Sequence, residues 1–453
     1  MMKYLKAVLY VAASIGLFYL LRINFPKYSG AMGVYLVLFL LDGYLWISTW
    51  KYLRKKNTVI KFLGAFFYWL PLLLILGGFI YGWFVSFLEW NILFRTEFLN
   101  LIQTGYAVKA LPYAFRLLYD LMLMIFGTSS APSFYGIKPR KPRNRMMITG
   151  WSLGFVLGAV LLAGHFFGQY PFRLKRVDVQ FRDLPTSFDN LRIVQISDLH
   201  LGNWTCPGKL EEAVARINRL HPDLILITGD VATFSTTDIL PFQSTLGRMK
   251  AREGIWVIYG NHDYGQYYKF KSLQEVYDNL NRFGKIYGEL GWNLLANGQS
   301  ILVRGNDSIT ILGVENWGEE RRFPKLAEIV KAEEGTENIR FKILLSHDPT
   351  YWEKMISRRC PEIDLTLSGH SHGGQVGYES HGSGLTLVSE LHPYWAGLHS
   401  LPSSDTSVQY LYVNRGLGTV GYFGRIGIPP EITLLILHRQ ADSLVVSGPS
   451  IPE

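Results

Sequence analysis

The chain changes rhythm near residue 170. Before it, apolar positions run together in stretches long enough to cross about 30 Å of hydrocarbon, over 4–21, 30–50, 62–88 and 147–168. A fifth stretch, 101–126, is interrupted by Lys109, Pro112, Arg116 and Asp120; it reads as a further span or as an interfacial or re-entrant helix. With that fifth stretch, residues 1–170 are expected to form a membrane region of about five helices. After residue 170 the runs shorten and become rich in β-branched residues: LRIVQIS, LILITG, IWVIYG, FKILLS and LTLSG. Between the first two lies 208–220, with helical spacing at Leu210, Val214 and Ile217 and a stop at His-Pro-Asp. Residues 172–190 read as a short edge strand and turn, and further strands are expected at 309–314, 385–388 and 411–414. Residues 171–453 are therefore expected to form one α/β domain, an αββα sandwich of two mixed sheets flanked by helices.

Charge sharpens the division. The first 170 residues hold 17 Lys plus Arg against 4 Asp plus Glu, and the remainder 28 against 32. The basic balance of the whole chain thus belongs to its apolar half and does not call for a nucleic-acid partner. Lys51, Arg54, Lys55, Lys56 and Lys61 crowd one link, and Lys138, Arg140, Lys141, Arg143 and Arg145 precede the last apolar stretch. Both links are expected on the cytoplasmic side. With five spans this places the amino terminus inside and the domain after residue 170 outside the cytoplasm, although Arg22 and Lys27 sit in the opposite loop. The first stretch lacks a small-x-small cleavage site and reads as a retained anchor rather than a signal peptide. Two carboxylates interrupt the apolar half. Asp120 lies four residues from Arg116, a pairing distance on a helix. Asp42 falls in mid-span, where an unpaired charge costs about 2.5–3.5 kcal/mol, so it is expected to have a hydrogen-bonding partner or a proton, with an ion or substrate path as the alternative.

The short runs share one feature. Each is followed at once by a polar residue able to bind metal: Asp198 and His200, Asp230, Asn261, His347, then His370 and His372. Strand ends hold such groups rigidly. Asp198 and His200, like His370 and His372, stand two apart, which on an extended segment sends both side chains to one side. A carboxylate such as Asp230 has two oxygens and can bridge two ions roughly 3.5–4 Å apart. Imidazole and carboxylate donors suit Mn, Fe or Zn, and the absence of thiolates argues against a structural zinc site. A single His at a strand end is more often a hydrogen-bonded structural residue; the ordered set of five motifs is what carries weight.

That ordered set, D-x-H, G-D, G-N-H-D, H and G-H-x-H, resembles the calcineurin-like metallophosphoesterase superfamily over about 191–437. The stretch GHSHGGQ (369–375), with NRGLGT (414–419) and PPEITL (429–434), is similar to the membrane-associated bacterial subgroup of the YkuE type. The resemblance implies a site of two divalent metal ions. Asp198, His200 and His372 would hold the first, Asn261, His347 and His370 the second, and Asp230 would bridge them. It implies His262 as the residue that protonates the leaving oxygen or steadies the transition state; Asp263 would orient His262 or serve as a turn residue. The implied reaction is phosphate-ester or pyrophosphate hydrolysis by attack of a metal-bridging hydroxide.

A membrane-anchored metal-dependent phosphohydrolase follows as the expected function, with the lipid bilayer as its surroundings and a phosphorylated substrate. A lipid carrying the phosphate is the leading substrate class, because the anchor holds the site near lipid. Aromatic residues in the loops (Trp204, Tyr264, Tyr267, Tyr268, Trp317, Tyr394, Trp395, Tyr422 and Phe423) are rim packing or an apolar lip, and Arg321, Arg415 and Arg425 are further candidates for gripping phosphate oxygens. Two other classes fit less well. A silent scaffold would have lost metal ligands, and a sensor or transporter would carry more polar residues among its spans. Cys206 and Cys360 could pair if the domain is extracytoplasmic, but they follow different strands.

Overall fold

The computed structural model describes residues 29–126, 140–268, 270–318, 325–380, 383–386, 388–390, 392–402 and 408–440, with scattered positions between 12 and 23. The expected first span, 4–21, and Arg321 lie largely or wholly outside these residues. The chain divides into two compact units between Gly164 and His165.

The first unit is helical: α1 (Ser29–Leu53), α2 (Thr58–Phe84), α3 (Ile92–Phe126) and the greater part of α4 (Arg140–Gly168). Among the described residues, three helical stretches are long and apolar enough to cross a membrane: Gly33–Leu53, Thr58–Phe84 and Asn144–Gly168. The third expected span, 62–88, is displaced by four residues, since the helix runs over Thr58–Phe84. Val85 turns to extended backbone, and Phe87–Glu89 form a separate single turn. The interrupted fifth stretch is part of one continuous 35-residue helix that Pro112 does not break. Its polar residues have partners. Arg116 and Asp120 form the expected ion pair at 2.7 Å, and Tyr44 also donates to Asp120 at 2.7 Å. Asp42 is fully buried. Its carboxylate accepts from Lys109 Nζ at 2.6 Å, Tyr113 Oη at 2.6 Å and Tyr106 Oη at 3.1 Å.

The second unit holds two six-stranded sheets. One contains β1 (Arg173–Phe181), β2 (Leu191–Ile196), β3 (Leu224–Ile227), β4 (Gly254–Val257), β5 (Asn293–Leu294) and β14 (Glu431–Arg439), in the order β1-β14-β2-β3-β4-β5. The other contains β6 (Gly298–Arg304), β7 (Asp307–Gly313), β8 (Lys342–Leu345), β9 (Leu365–Ser368), β12 (Gly397–Pro402) and β13 (Val408–Val413), in the order β12-β13-β9-β8-β7-β6. A hairpin, β10 (Gly377–Ser380) with β11 (Ser383–Thr386), stands beside them. The expected edge strand is β1, paired in parallel with β14, and β14 runs antiparallel to β2.

Alternation along the strands builds the layers. Ile311, Ile343 and Leu367 meet Ile193, Leu226 and Leu435 of the opposite sheet in one core, while Leu312 and Leu344 face the other way onto Tyr351, Trp352 and Ile356. Across the first sheet, α5 (Pro207–Arg219) buries Leu210, Ala213, Val214 and Ile217, and α6 (Leu273–Glu289) buries Phe283, Ile286 and Tyr287. This is the expected sandwich. Truncating an inter-sheet residue such as Ile343 to Ala would cost about 2–5 kcal/mol. The carboxyl ends of parallel neighbours β2, β3 and β4 in one sheet and β8 and β9 in the other rise to the same edge, where open α/β sheets place their ligands.

Candidate metal centre

Each expected ligand sits two to four residues beyond one of those strand ends, and the backbone of five of the seven is unusual. Asp198, His200, Asp230, His370 and His372 all adopt positive φ, between 46° and 69°. Asp and His are among the residues that tolerate this region, and outliers of this kind collect at functional sites. The expectation that Asp198 and His200 alternate along an extended segment is corrected: β2 ends at Ile196, and the two residues occupy a left-handed loop. Their shared direction comes from the neighbouring loop, since Asp198 N donates to Gly229 O and His200 N to Asp230 O, both at 3.0 Å. The loops approach so closely that glycine is required. A Cβ on Gly260 would lie 2.1 Å from Asp230 Oδ1, and one on Gly369 would lie 1.9 Å from Ser197 Oγ.

The side chains fall into overlapping groups. Ligand atoms of Asp198, His200 and His372 lie within 4.8 Å of one another, as do those of Asp230, His347 and His370, and those of His200, Asp230 and His262. Asp230 is shared: its Oδ2 is 3.6 Å from His200 Nε2 and 3.2 Å from His347 Nε2. His200 Nε2 faces His372 Nε2 at 3.0 Å, and His347 Nε2 faces both Asn261 Oδ1 and His370 Nδ1 at 3.2 Å.

These contacts fit cations. His347 Nδ1 donates to Thr228 O at 2.7 Å, which fixes the tautomer and leaves the Nε2 lone pair turned toward the oxygens of Asp230 and Asn261. A lone pair facing two acceptors is satisfied by a metal ion or a proton. The Nδ1 atoms of His200 and His372 are buried without a hydrogen-bond partner. Electrostatics carries the same tension. Burial opposes charge on His347, yet Asp230 and Asp198 outweigh it and push its pKa up to about 10. Burial and neighbouring imidazoles hold His200 and His372 well below the usual histidine range. Burial raises Asp198, while for Asp230 the pull of His347 and His262 overcomes burial and lowers it. The donor set, buried except for the half-buried His370, is rich in nitrogen and oxygen and free of thiolate, as suits borderline divalent ions.

His262 lines the cleft above this cluster. Its backbone N donates to Asp230 Oδ1 at 2.8 Å, its Nδ1 bonds Thr233 O at 2.9 Å, and Tyr267 stacks on its ring at a centroid distance of 4.0 Å. Asp263 bonds main chain instead of the His262 ring. Its carboxylate accepts from the amides of Asp230 at 2.8 Å, Gly260 at 2.9 Å and Ala232 at 3.0 Å. The cleft holds about 430 Å³ and is lined also by Asn203, Thr233, Phe234, Val420, Gly421 and Phe423.

The arginines expected at phosphate are otherwise engaged. Arg415 is bound to Glu431 and, at 2.8 Å, to Glu379. Arg425 is buried, and its guanidinium donates to the carbonyls of Gly418 and Arg415 at 2.7 and 2.8 Å and of His372 at 3.2 Å. It braces the loop after β13, whose Gly418 N in turn bonds Asp198 O at 2.8 Å. Cys206 and Cys360 are both free, one exposed and one buried.

Residues 191–374 match the family model Calcineurin-like phosphoesterase. The chain carries a calcineurin-like metallophosphoesterase domain. It is 30% identical over 63% of its length to a zebrafish (Danio rerio) transmembrane protein with metallophosphoesterase domain, of which the match covers 62%. It is 28% identical over 66% of its length to the uncharacterized metallophosphoesterase YkuE of Bacillus subtilis, covering 98% of that protein. A Helicobacter pylori metallophosphoesterase is 25% identical over 89% of this chain and 96% of its own length, so that likeness extends into the helical unit. The chain spans under two thirds of the zebrafish relative. The metallophosphoesterase family uses divalent metal ions, and the His and Asp groups described above could bind them.

Proposed function

We propose that this protein is a membrane-anchored phosphohydrolase that works with two divalent metal ions, Mn, Fe or Zn, on a phosphate ester or pyrophosphate outside the cytoplasm. The sharing of Asp230 between two His/Asp groups carries the reading. Asp198, His200 and His372 would hold one ion and Asn261, His347 and His370 the other, with Asp230 common to the two groups. Two ions so held would supply positive charge for phosphoryl oxygens and a water acidified toward neutrality.

The chain's own residues do the rest. Thr233 O holds a proton of His262 on Nδ1, so Nε2 is the atom through which the ring would meet the leaving oxygen. Burial lowers the pKa of the ring, against the pull of Asp230 and the Thr233 carbonyl. Tyr267 covers one face of that ring and excludes water from it. Asp263 is a positioning residue that acts through backbone, tying the Asp230 loop to the Gly260–Asn261 loop. A phosphorylated or pyrophosphate-linked lipid remains the leading substrate class, supported by the apolar helix that ends five residues before β1.

The test uses the full chain in detergent, loaded with Mn, against phosphate monoester, diester and pyrophosphate reporters and a phosphorylated lipid in mixed micelles. Turnover absent from Asn261→Ala is expected. Uptake of two ions with no turnover on any of the four would overturn the reading.

A further inference from the structure

The last turn of α4 belongs to the second unit, and it is built into the walls of the cleft. The Phe423 carbonyl accepts from Gln169 Nε2 at 2.6 Å and from His165 Nδ1. Both side chains are buried, His165 3% and Gln169 3% exposed. Between them Gly168 lies against the Arg425 backbone, where a Cβ would fall 1.9 Å from Arg425 O. The loop held in this way contributes Val420, Gly421 and Phe423 to the cleft. Its other face is fixed by Gln375, which accepts from Val420 N at 2.7 Å and donates to Tyr422 O at 2.8 Å.

The residues just after α4 grip a second wall. Tyr170 Oη accepts from Thr205 N at 3.1 Å, and Phe172 stacks on Trp204 with ring centroids 6.0 Å apart. Trp204 in turn donates to Leu199 O at 2.6 Å, beside His200. Asn203 in this segment lines the cleft and donates to Thr419 O at 2.7 Å, joining the two walls.

We propose that His165 and Gln169 are positioning residues: the exit of the last apolar helix sets the Val420–Phe423 wall, and that wall binds the apolar part of the substrate while the metal ligands bind its phosphate. The second clause rests on the phosphohydrolase reading; the first does not. Two hydrogen bonds into a buried carbonyl, with a glycine packed between them, have no function in a simple tether, which needs only covalent continuity. The ligand residues also have bonds outside 420–425, such as Asp198 N to Gly229 O, His200 N to Asp230 O and His347 Nδ1 to Thr228 O, and these remain when the wall loosens.

The experiment compares wild type, His165→Ala, Gln169→Ala and His165→Asn as full chains in detergent, by amide hydrogen exchange, metal content and kinetics on alkyl phosphates of increasing chain length. Asn places Nδ2 close to where His carries Nδ1 and is the conservative variant. In the Ala variants, exchange across 420–425 is expected to rise at least tenfold. KM for the long-chain ester should rise about tenfold, with kcat and two-ion content within twofold of wild type and little change for the short-chain ester. His165→Asn should restore both. Unchanged exchange in 420–425 overturns the positioning, and loss of metal or kcat in step with KM reduces it to general destabilisation. If wild type hydrolyses none of the esters, the phosphohydrolase reading fails, and the exchange measurement still decides the first clause.

Discussion

Two clusters of buried charge, one in each unit, are built on opposite principles. Around Asp42, charge and hydrogen-bond capacity close on themselves. One carboxylate takes Lys109 and two tyrosine hydroxyls, and the Lys109 ammonium also lies over the rings of Tyr68 and Tyr106 at 4.4 and 4.9 Å. Around Asp230, backbone bonds hold Asp230 Oδ1 and His347 Nδ1, but the atoms that face one another across the cluster do not close. Imidazole nitrogens face each other at 3.0 and 3.2 Å, carboxylate and amide oxygens converge on a lone pair, and two ring nitrogens are buried without partners. A closed cluster is complete as folded; an open one at a cleft needs something from solution. Mutual satisfaction therefore separates a structural charge from a binding one, where burial and residue type alone do not.

The largest effects should come from the open cluster. Asp198→Asn is expected to lower hydrolysis by at least about 10³-fold, since in the proposed reading several kcal/mol of charge stabilisation would depend on metal ions held there. It should also remove the rise in melting temperature that Mn is expected to give the parent. Without metal the variant should melt no lower than the parent, because burial already disfavours the Asp198 charge. Activity and metal-linked melting assays check this. A metal-free variant that melts several degrees below the parent would mean that this cluster too is complete as folded.

The closed cluster predicts the converse. Asp42→Ala leaves Lys109 buried without its carboxylate and should cost about 3–5 kcal/mol. Asp42→Leu combined with Lys109→Met should recover most of that. Turnover per metal-loaded molecule should stay within twofold in both. Unfolding in detergent alongside kinetics separates the outcomes. Lost turnover with unchanged stability would revive Asp42 as part of an ion or substrate path and break the comparison.

The sequence made much of this visible, for a local reason. Every ligand follows a short β-branched run, so strand ends and ligand types could be read together, and the helix 208–220 appears at Pro207–Arg219. What escaped was non-local. The left-handed backbone of Asp198 and His200 depends on carbonyls of the neighbouring Gly229–Asp230 loop. Arg415 and Arg425 resembled phosphate ligands until Glu431, Glu379 and a ring of carbonyls were brought to them by the fold. The insertion of β14 between β1 and β2 joins residues more than 230 positions apart, beyond any local pattern. His165 and Gln169 did leave a signal: two polar residues four apart closing a long apolar helix are one turn apart on the same face.

The smallest predicted effect comes from a carboxylate of intermediate kind, closed by few partners. Asp364, half-buried at the start of β9, accepts from Lys342 N at 2.8 Å. Burial, reinforced by the charge of Asp183, pushes its pKa from 3.8 up to about 7. The folded state thus favours the protonated acid. Its contribution to stability is fully present below about pH 3.8 and is lost as pH rises through about 7. Asp364→Asn keeps a neutral acceptor for the Lys342 amide and cannot ionise. Parent and variant should be about equally stable near pH 4, and the variant should gain about 1–2 kcal/mol on the parent by pH 8. That is well below the full shift at 1.36 kcal/mol per unit, because water screens a half-buried group. Denaturant titrations of both proteins across this range give the difference directly. Parallel stability curves would show that one amide suffices to close a buried carboxylate, and would narrow the distinction between closed and open clusters to sites with several competing charges.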